Sequence, residues 1–445
     1  MTKRAGVAAA RSISADEAAD LVKSGMWLDY GSSLCQPDVF DRALARRIDE
    51  LTNVKIRHCL TMRPRAVFDA DPDGHHVYSF SLHYSAYDRR KHDCGRCNYI
   101  PVNLGEIPDY YRRFIDPVDI VVLKTCAIDE HGYFNLSAAN LWHRAAIERA
   151  RLVVVETSHG LPYVYGEETG LHVSEVDYVI QGDDTPAPEL VNPPATEIDA
   201  AVARRIAAEI EDGDCLQIGI GGMPNAVCTL LLESGVSDLG VHTEMMTDGL
   251  AELYKAGRIT GSRKRLNPGK AVYTFALGSR DLYATLDRNH DMHCCPVDYT
   301  NVPHVIMQND RVISINNTTQ VDLQGQAASE SDGHRHISGT GGQLQFVRGA
   351  YASKGGKSFI CLSSTYDKRG QRRSRIVLDL TPGNVVTTPR SDVMYVVTEY
   401  GIVNLKGKSV AERAKALIAI AHPDFREGLE RQAYEHRLIP HGVSF

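Results

Sequence analysis

Leu216-Gln217-Ile218-Gly219-Ile220-Gly221-Gly222-Met223-Pro224-Asn225-Ala226-Val227 carries a hydrophobic strand into three glycines and then into residues able to start a helix. Pro224 suits a first helical turn, where its missing N–H leaves no bond unmade. A strand turning tightly into a helix is the repeating unit of an α/β sheet, and the same alternation extends both ways from this segment. Downstream, Leu239-Gly-Val-His242-Thr-Glu244 reads as a strand, Asp248–Ala256 as a helix, and Val272–Phe275, Val312–Ile315, Phe359–Cys361 and Met394–Thr398 as strands. Upstream, Ser14-Ala-Asp-Glu17 is a capping box that opens a helix, and strands follow at Val54–Leu60, Ile120–Thr125 and Leu152–Glu156.

The 445 residues exceed what one core usually serves. Gly182-Asp-Asp-Thr-Pro-Ala-Pro-Glu-Leu-Val-Asn-Pro-Pro194 has no periodicity and reads as an extended connector. The expectation is two similarly built open α/β domains, 1–190 and 191–445, joined by this Pro-rich linker. A net charge of −7 speaks against nucleic acid or an anionic membrane as partner. No apolar run reaches the length of a membrane span, and the N-terminal Ala-rich stretch is too short for a signal sequence, so a cytoplasmic protein is expected. The ten cysteines are scattered, which suits free thiols in a reducing compartment. Cys94-Gly-Arg-Cys97 has a metal-like spacing, but no second pair matches it, and no metal site is expected.

Three stretches can carry chemistry. Gly219, Ile220, Gly221, Gly222 and Met223 form a loop whose amides and helix N-terminus could hold a phosphate or an oxyanion, although a tight turn without any ligand would look the same. The dinucleotide fingerprint is absent, because Pro224 stands at its third glycine. Glu244 falls near a strand end, where parallel sheets place reactive groups, yet a lone glutamate is more often an ion-pair partner. Ser338-Gly-Thr-Gly341-Gly342-Gln343, with Arg348, Lys354 and Lys357 beyond it, offers amides and cations to an anion, or else a solvated loop.

Taken in order, Gly-Ile-Gly-Gly-Met-Pro-Asn-Ala-Val, Gly-Val-His-Thr-Glu-Met, Ser-Gly-Thr-Gly-Gly-Gln, Thr398-Glu-Tyr-Gly401 and Ala421-His-Pro-Asp-Phe-Arg426 resemble the acetyl-CoA hydrolase/transferase family. Within it the chain is similar to the butyryl-CoA:acetate and 4-hydroxybutyrate CoA-transferases, with itaconate CoA-transferases as relatives. The likeness spans nearly the whole chain, from Ser14 through Asp129-Glu-His-Gly-Tyr-Phe-Asn135 to residue 426. It implies that Glu244 carries a coenzyme A thioester, that Gly219 to Met223 bind CoA and shape an oxyanion site, and that Gly341, Gly342 and Lys354 contact CoA. It also implies no cofactor beyond coenzyme A, which is substrate and covalent intermediate. One departure is Gln345, where the family pattern tends to have Asp.

The expected partners are acyl-CoA and short-chain carboxylates, in a homo-oligomer. A short-chain acyl-CoA hydrolase using the same glutamate is the alternative activity, and a non-catalytic acyl-CoA-binding protein the alternative of another class. Arg63 and Arg65 follow a strand and could bind the far carboxylate of an acid such as itaconate or succinate, against the plainer reading of ordinary ion pairs. His242 could tune Glu244 or simply pack, and Glu330 is the fallback nucleophile.

Overall fold

The computed structural model describes residues 10–116 and 118–440, and the chain divides into two compact units. The first holds the chain up to Leu190 together with Val272–Thr300, and the second holds Val191–Ala271 and Asn301 onward. The polypeptide thus leaves the first unit within the Pro-rich connector. It returns there for residues 272–300, an excursion that a boundary drawn once at 190 does not contain.

The first unit is built on an eight-stranded sheet whose neighbours all run parallel. Its order is Arg11–Ser12, Tyr178–Gln181, Leu152–Ser158, Ile120–Cys126, Trp27–Ser32, Val54–Cys59, Val77–Ser81 and Cys97–Tyr99. The central strands are mostly buried, as in parallel sheets whose two faces are both covered; all seven residues of Ile120–Cys126 are buried. Leu28, Tyr30, Phe40, Ile56, Val67, Val122 and Val154 fill its core. The first helix, Ala15–Asp20, opens with the Ser14–Glu17 capping box read from the sequence.

In the second unit the strands run Gly401–Asn404, Tyr395–Thr398, Lys357–Cys361, Val312–Asn317, Cys215–Ile218 and Gly240–His242, parallel except for the first pair. Val347, Ile360, Ile376, Val396, Leu405 and Leu417 form its main core. The strand Cys215–Ile218 lies between Val312–Asn317 and Gly240–His242. Parallel pairing sends the three chains out at one edge of the sheet, and that edge receives the glycine loop and Glu244. Among the described residues, no helix is long and apolar enough to cross a membrane.

Glu156, near the end of Leu152–Ser158, is almost fully buried and accepts the backbone N–H groups of Asp38, Val39 and Phe40 at 2.9–3.1 Å. These are the first donors of the helix Val39–Ala45, which have no partner inside a helix. Glu156→Ala strands three buried N–H groups and should cost about 3 kcal/mol or more, read as a lower urea midpoint. Glu156→Gln, which keeps one acceptor oxygen, should lose less. A change below about 1 kcal/mol in the alanine variant would mean that this helix start does not depend on the carboxylate.

Candidate active site

Glu244 sits just past the strand Gly240–His242, between the buried residues Thr243 and Met245. Asn301 donates its side-chain N–H to Oε2 of Glu244 at 2.5 Å. The backbone N–H of Gly342 also donates to the carboxyl group. Oε2 is the oxygen lying against Gly342: a Cβ built there would fall 2.1 Å from it and 2.3 Å from the Asn301 nitrogen. Glycine at 342 is therefore required by space. Its neighbour Gly341 has φ +59°, a left-handed conformation that also favours glycine.

Gly342 caps the helix Gln343–Ala352, so the carboxylate also meets the positive end of that helix. These favourable contacts do not offset desolvation. Burial pushes the Glu244 carboxyl from the ordinary 4.5 up to about 7, with Asn301 and Gly342 pulling weakly the other way. Both partners are uncharged, so no cation holds the ionised form down in the usual carboxylate range. Asn301 holds Oε2, which leaves Oε1 free of that bond to react. Asn301 is itself fully buried, and its Oδ1 has no partner among the described residues.

The glycine loop lies at the same edge of the sheet. After Cys215–Ile218 the chain passes Gly219 and Ile220, and Gly221 caps the helix Gly222–Glu233 with φ +125°. Pro224 falls in the first turn of that helix, as read from the sequence, and the helix begins two residues earlier. Ile220 is exposed and Met223 buried. The loop is braced by Asn317, at the end of the neighbouring strand, which donates to the Ile220 carbonyl at 3.4 Å.

The structure gathers Glu244, Gly341 and Gly342, and it does not bring Lys354 to them. Lys354 lies beyond the far end of the ten-residue helix, roughly 15 Å along its axis from Gly342. Lys357 pairs with Glu209 at 2.8 Å and Arg348 with Asp392 at 2.8 Å. Arg63 and Arg65 both end on Asp38, at 2.9 and 3.0 Å, where buried Lys124 joins them at 2.7 Å. Glu330 is buried, accepting from Thr340 at 3.0 Å and Thr387 at 2.9 Å. It therefore anchors the segment that delivers Gly341 and Gly342. His242 is buried, its ring 6.4 Å from that of Phe346, and Gln345 is buried in the same helix as Phe346. Asn301 was missed in the sequence: an asparagine shortly before Pro303 looks like an ordinary helix cap, and nothing in its spacing ties it to residue 244.

The family model for the acetyl-CoA hydrolase/transferase N-terminal domain matches residues 9–191, and that for the C-terminal domain matches 278–433. A butyryl-CoA:acetate CoA-transferase of Anaerostipes caccae is 45% identical over 422 residues, 94% of this chain and 95% of the relative. A succinyl-CoA:cyclohexane-1-carboxylate CoA transferase of Geobacter metallireducens is 42% identical over 417 residues, 94% and 93% of the two chains. The crystal structure of a 4-hydroxybutyrate CoA-transferase from Porphyromonas gingivalis superposes with a TM-score of 0.80 at 36% identity, covering 96% of this chain and 98% of that one.

A carboxyl group raised to about 7 has a consequence for folding. Between pH 4.5 and 7 the folded chain keeps a proton that the unfolded chain has released. Stability therefore falls as pH rises through this window, by roughly 3 kcal/mol in full above pH 7. Glu244→Gln removes the charge and keeps an acceptor for both N–H groups. Its urea midpoint should exceed that of the unaltered chain at pH 8, and the gain should vanish below pH 4.5. Equal midpoints at pH 8 would show that the carboxylate is not penalised by burial.

Proposed function

Because this chain belongs to the acetyl-CoA hydrolase/transferase family and is a CoA-transferase, we propose that it passes coenzyme A between short-chain carboxylic acids through a thioester on Glu244. The observation that carries the reading is the Glu244 carboxyl group, desolvated and bonded by two neutral N–H donors.

In the proposed cycle Oε1 of the ionised Glu244 attacks the acyl carbonyl of an acyl-CoA. The C–S bond breaks, the CoA thiolate leaves, and a mixed anhydride joins the acyl group to Glu244. The thiolate then attacks the glutamyl carbonyl carbon, and the free acid departs as a carboxylate. Coenzyme A remains as the glutamyl thioester. Negative charge collects on Oε2 in that step, where Asn301 already donates, and the Gly342 N–H bonds the same carboxyl group; such donors contribute about 3–4 kcal/mol each in comparable sites. An incoming acid runs the same steps in reverse and leaves as the new acyl-CoA. The glycine loop from Gly219 to Met223, exposed at Ile220, supplies amides for a further part of coenzyme A.

Arg63 and Arg65 share their charge with Asp38, which favours monocarboxylates such as butyrate, acetate or 4-hydroxybutyrate over dicarboxylates. Competition among these acids, succinate and itaconate ranks them. A preference for a dicarboxylate that Arg63→Ala abolishes would return the arginine to the substrate.

Incubation with an acyl-CoA should leave a CoA-derived mass on the peptide containing residue 244, and Glu244→Ala should lose both the adduct and at least about 1,000-fold in transfer rate. Transfer undiminished in the alanine variant would sink the proposal. The rate of adduct formation should rise with pH through about 7 and level off above it, since Glu244 must be ionised to attack. Gly342→Ala drives a methyl group into Oε2 and should cost about 100-fold or more in turnover while the chain remains folded. A variant as fast as the parent would remove Gly342 from the chemistry.

A further inference from the structure

His58, Asp88 and Cys97, carried on separate elements and unused by the transfer chemistry, meet inside the first unit with one ligand atom of each within 4.8 Å of the others. Sheet register explains the meeting. The adjacent parallel strands Val54–Cys59, Val77–Ser81 and Cys97–Tyr99 carry His58, Ser79 and Cys97, with Ser79 directly opposite Cys97. The helix Ala86–Asp93 brings Asp88 in its first turn, capped by Ser85. Each of the three ligand residues is at most 5% exposed.

The carboxylate of Asp88 is only half used. One oxygen, Oδ2, accepts the backbone N–H of Ser85 at 2.8 Å and that of Thr61 at 3.3 Å. The other, Oδ1, is buried without a hydrogen-bond partner among the described residues and lies 3.8 Å from Nδ1 of His58. A buried carboxylate oxygen with nothing to bind is costly, and it calls for a cation or a donor. His58 is held between two hydroxyls, Ser79 at 2.7 Å and Thr61 at 2.9 Å, and the Ser79 hydroxyl donates to the Cys97 sulfur at 3.2 Å. The Arg65 guanidinium, whose field reaches His58, is paired with Asp38.

We propose that His58, Asp88 and Cys97 form a buried site for a divalent transition-metal ion, zinc foremost, which ties two strands and a helix of the first unit together. The donor set decides the class of ion. One sulfur, one imidazole nitrogen and one carboxylate oxygen suit zinc or its tetrahedral substitutes, whereas calcium and magnesium take oxygen alone. Ligand atoms sharing a tetrahedral zinc stand roughly 3–4 Å apart, so a separation of 4.8 Å closes by small side-chain rotations. The Thr61 hydroxyl, 2.9 Å from Nδ1 of His58, or a water completes the fourth position. Binding releases the Cys97 thiol proton to solvent, and the thiolate and carboxylate together balance the two positive charges. Without an ion, burial and the neighbouring Asp88 push that thiol up to about 12, so it stays protonated. The exposed Cys94 takes no part.

Cobalt(II) serves as the probe, because a thiolate bound to tetrahedral cobalt gives an intense charge-transfer absorption. The full-length protein, stripped with a chelator and titrated with cobalt, should take up one ion per chain with that band. Zinc should displace it and raise the melting temperature. Cys97→Ser should lose the band and the zinc-dependent shift in melting temperature, Asp88→Asn should weaken both, and Cys94→Ser should keep both. Circular dichroism checks that each variant is folded. Failure of the folded parent chain to take up cobalt would overturn the proposal. So would a band that persists in Cys97→Ser or follows Cys94, the mark of adventitious surface binding only.

Discussion

A carboxylate deprived of water, and compensated by nothing more strongly charged than an amide, is the constraint around which the second unit is arranged. Glu244 is held by Asn301 and Gly342, and burial raises its carboxyl group to about 7, since neither partner is a cation able to offset the desolvation. An arginine in either place would make a strong ion pair and a poor nucleophile, since a depressed pKa accompanies weak basicity. The folded state carries the cost of this arrangement, so the site trades stability for reactivity.

Rigid neighbours hold the arrangement in place. The strand before Glu244 is hydrogen-bonded into the parallel sheet, and Gly342 is fixed as the cap of a helix whose Phe346 and Val347 are buried in the cores of the unit. The segment leading to Gly342 is tied through Thr340 to the buried carboxylate of Glu330. A carboxylate that looks in the sequence like a rival to Glu244 thus supports it. Glu330 is surrounded by hydroxyl donors and anchored at both oxygens, which is the environment of a structural acceptor.

The readable parts of the molecule were the local ones. Strand, glycine turn and helix around residues 216–233 follow from chain chemistry over a few residues, and so does the capping box at Ser14. Glu244 and Gly341–Gly342 emerged from ordered motifs. Contacts that depend on how distant segments pack were not legible. Asn301 reaches Glu244 across 57 positions, and the return of residues 272–300 to the first unit leaves no mark in composition. Lys354 shows the converse: ten helical residues carry it away from the glycines it follows in sequence. Cys97 was judged by its spacing from Cys94, while its partners arrive from a strand and a helix nearly forty and nine residues before it.

Placing both donors on the Glu244 carboxyl group also answers a question of selectivity within the proposed cycle. The mixed anhydride has two carbonyl carbons, and the thiolate regenerates the starting acyl-CoA if it attacks the wrong one. Attack on the acyl side expels the Glu244 carboxylate. Attack on the glutamyl side expels the substrate acid, whose ordinary carboxylate pKa makes it the better leaving group. The Glu244 carboxyl, raised to about 7, is the poorer one. The two N–H donors add to this bias by polarising only the glutamyl carbonyl. Desolvation and hydrogen bonding, which oppose each other in setting the proton affinity of Glu244, therefore act together in steering the anhydride towards the enzyme thioester.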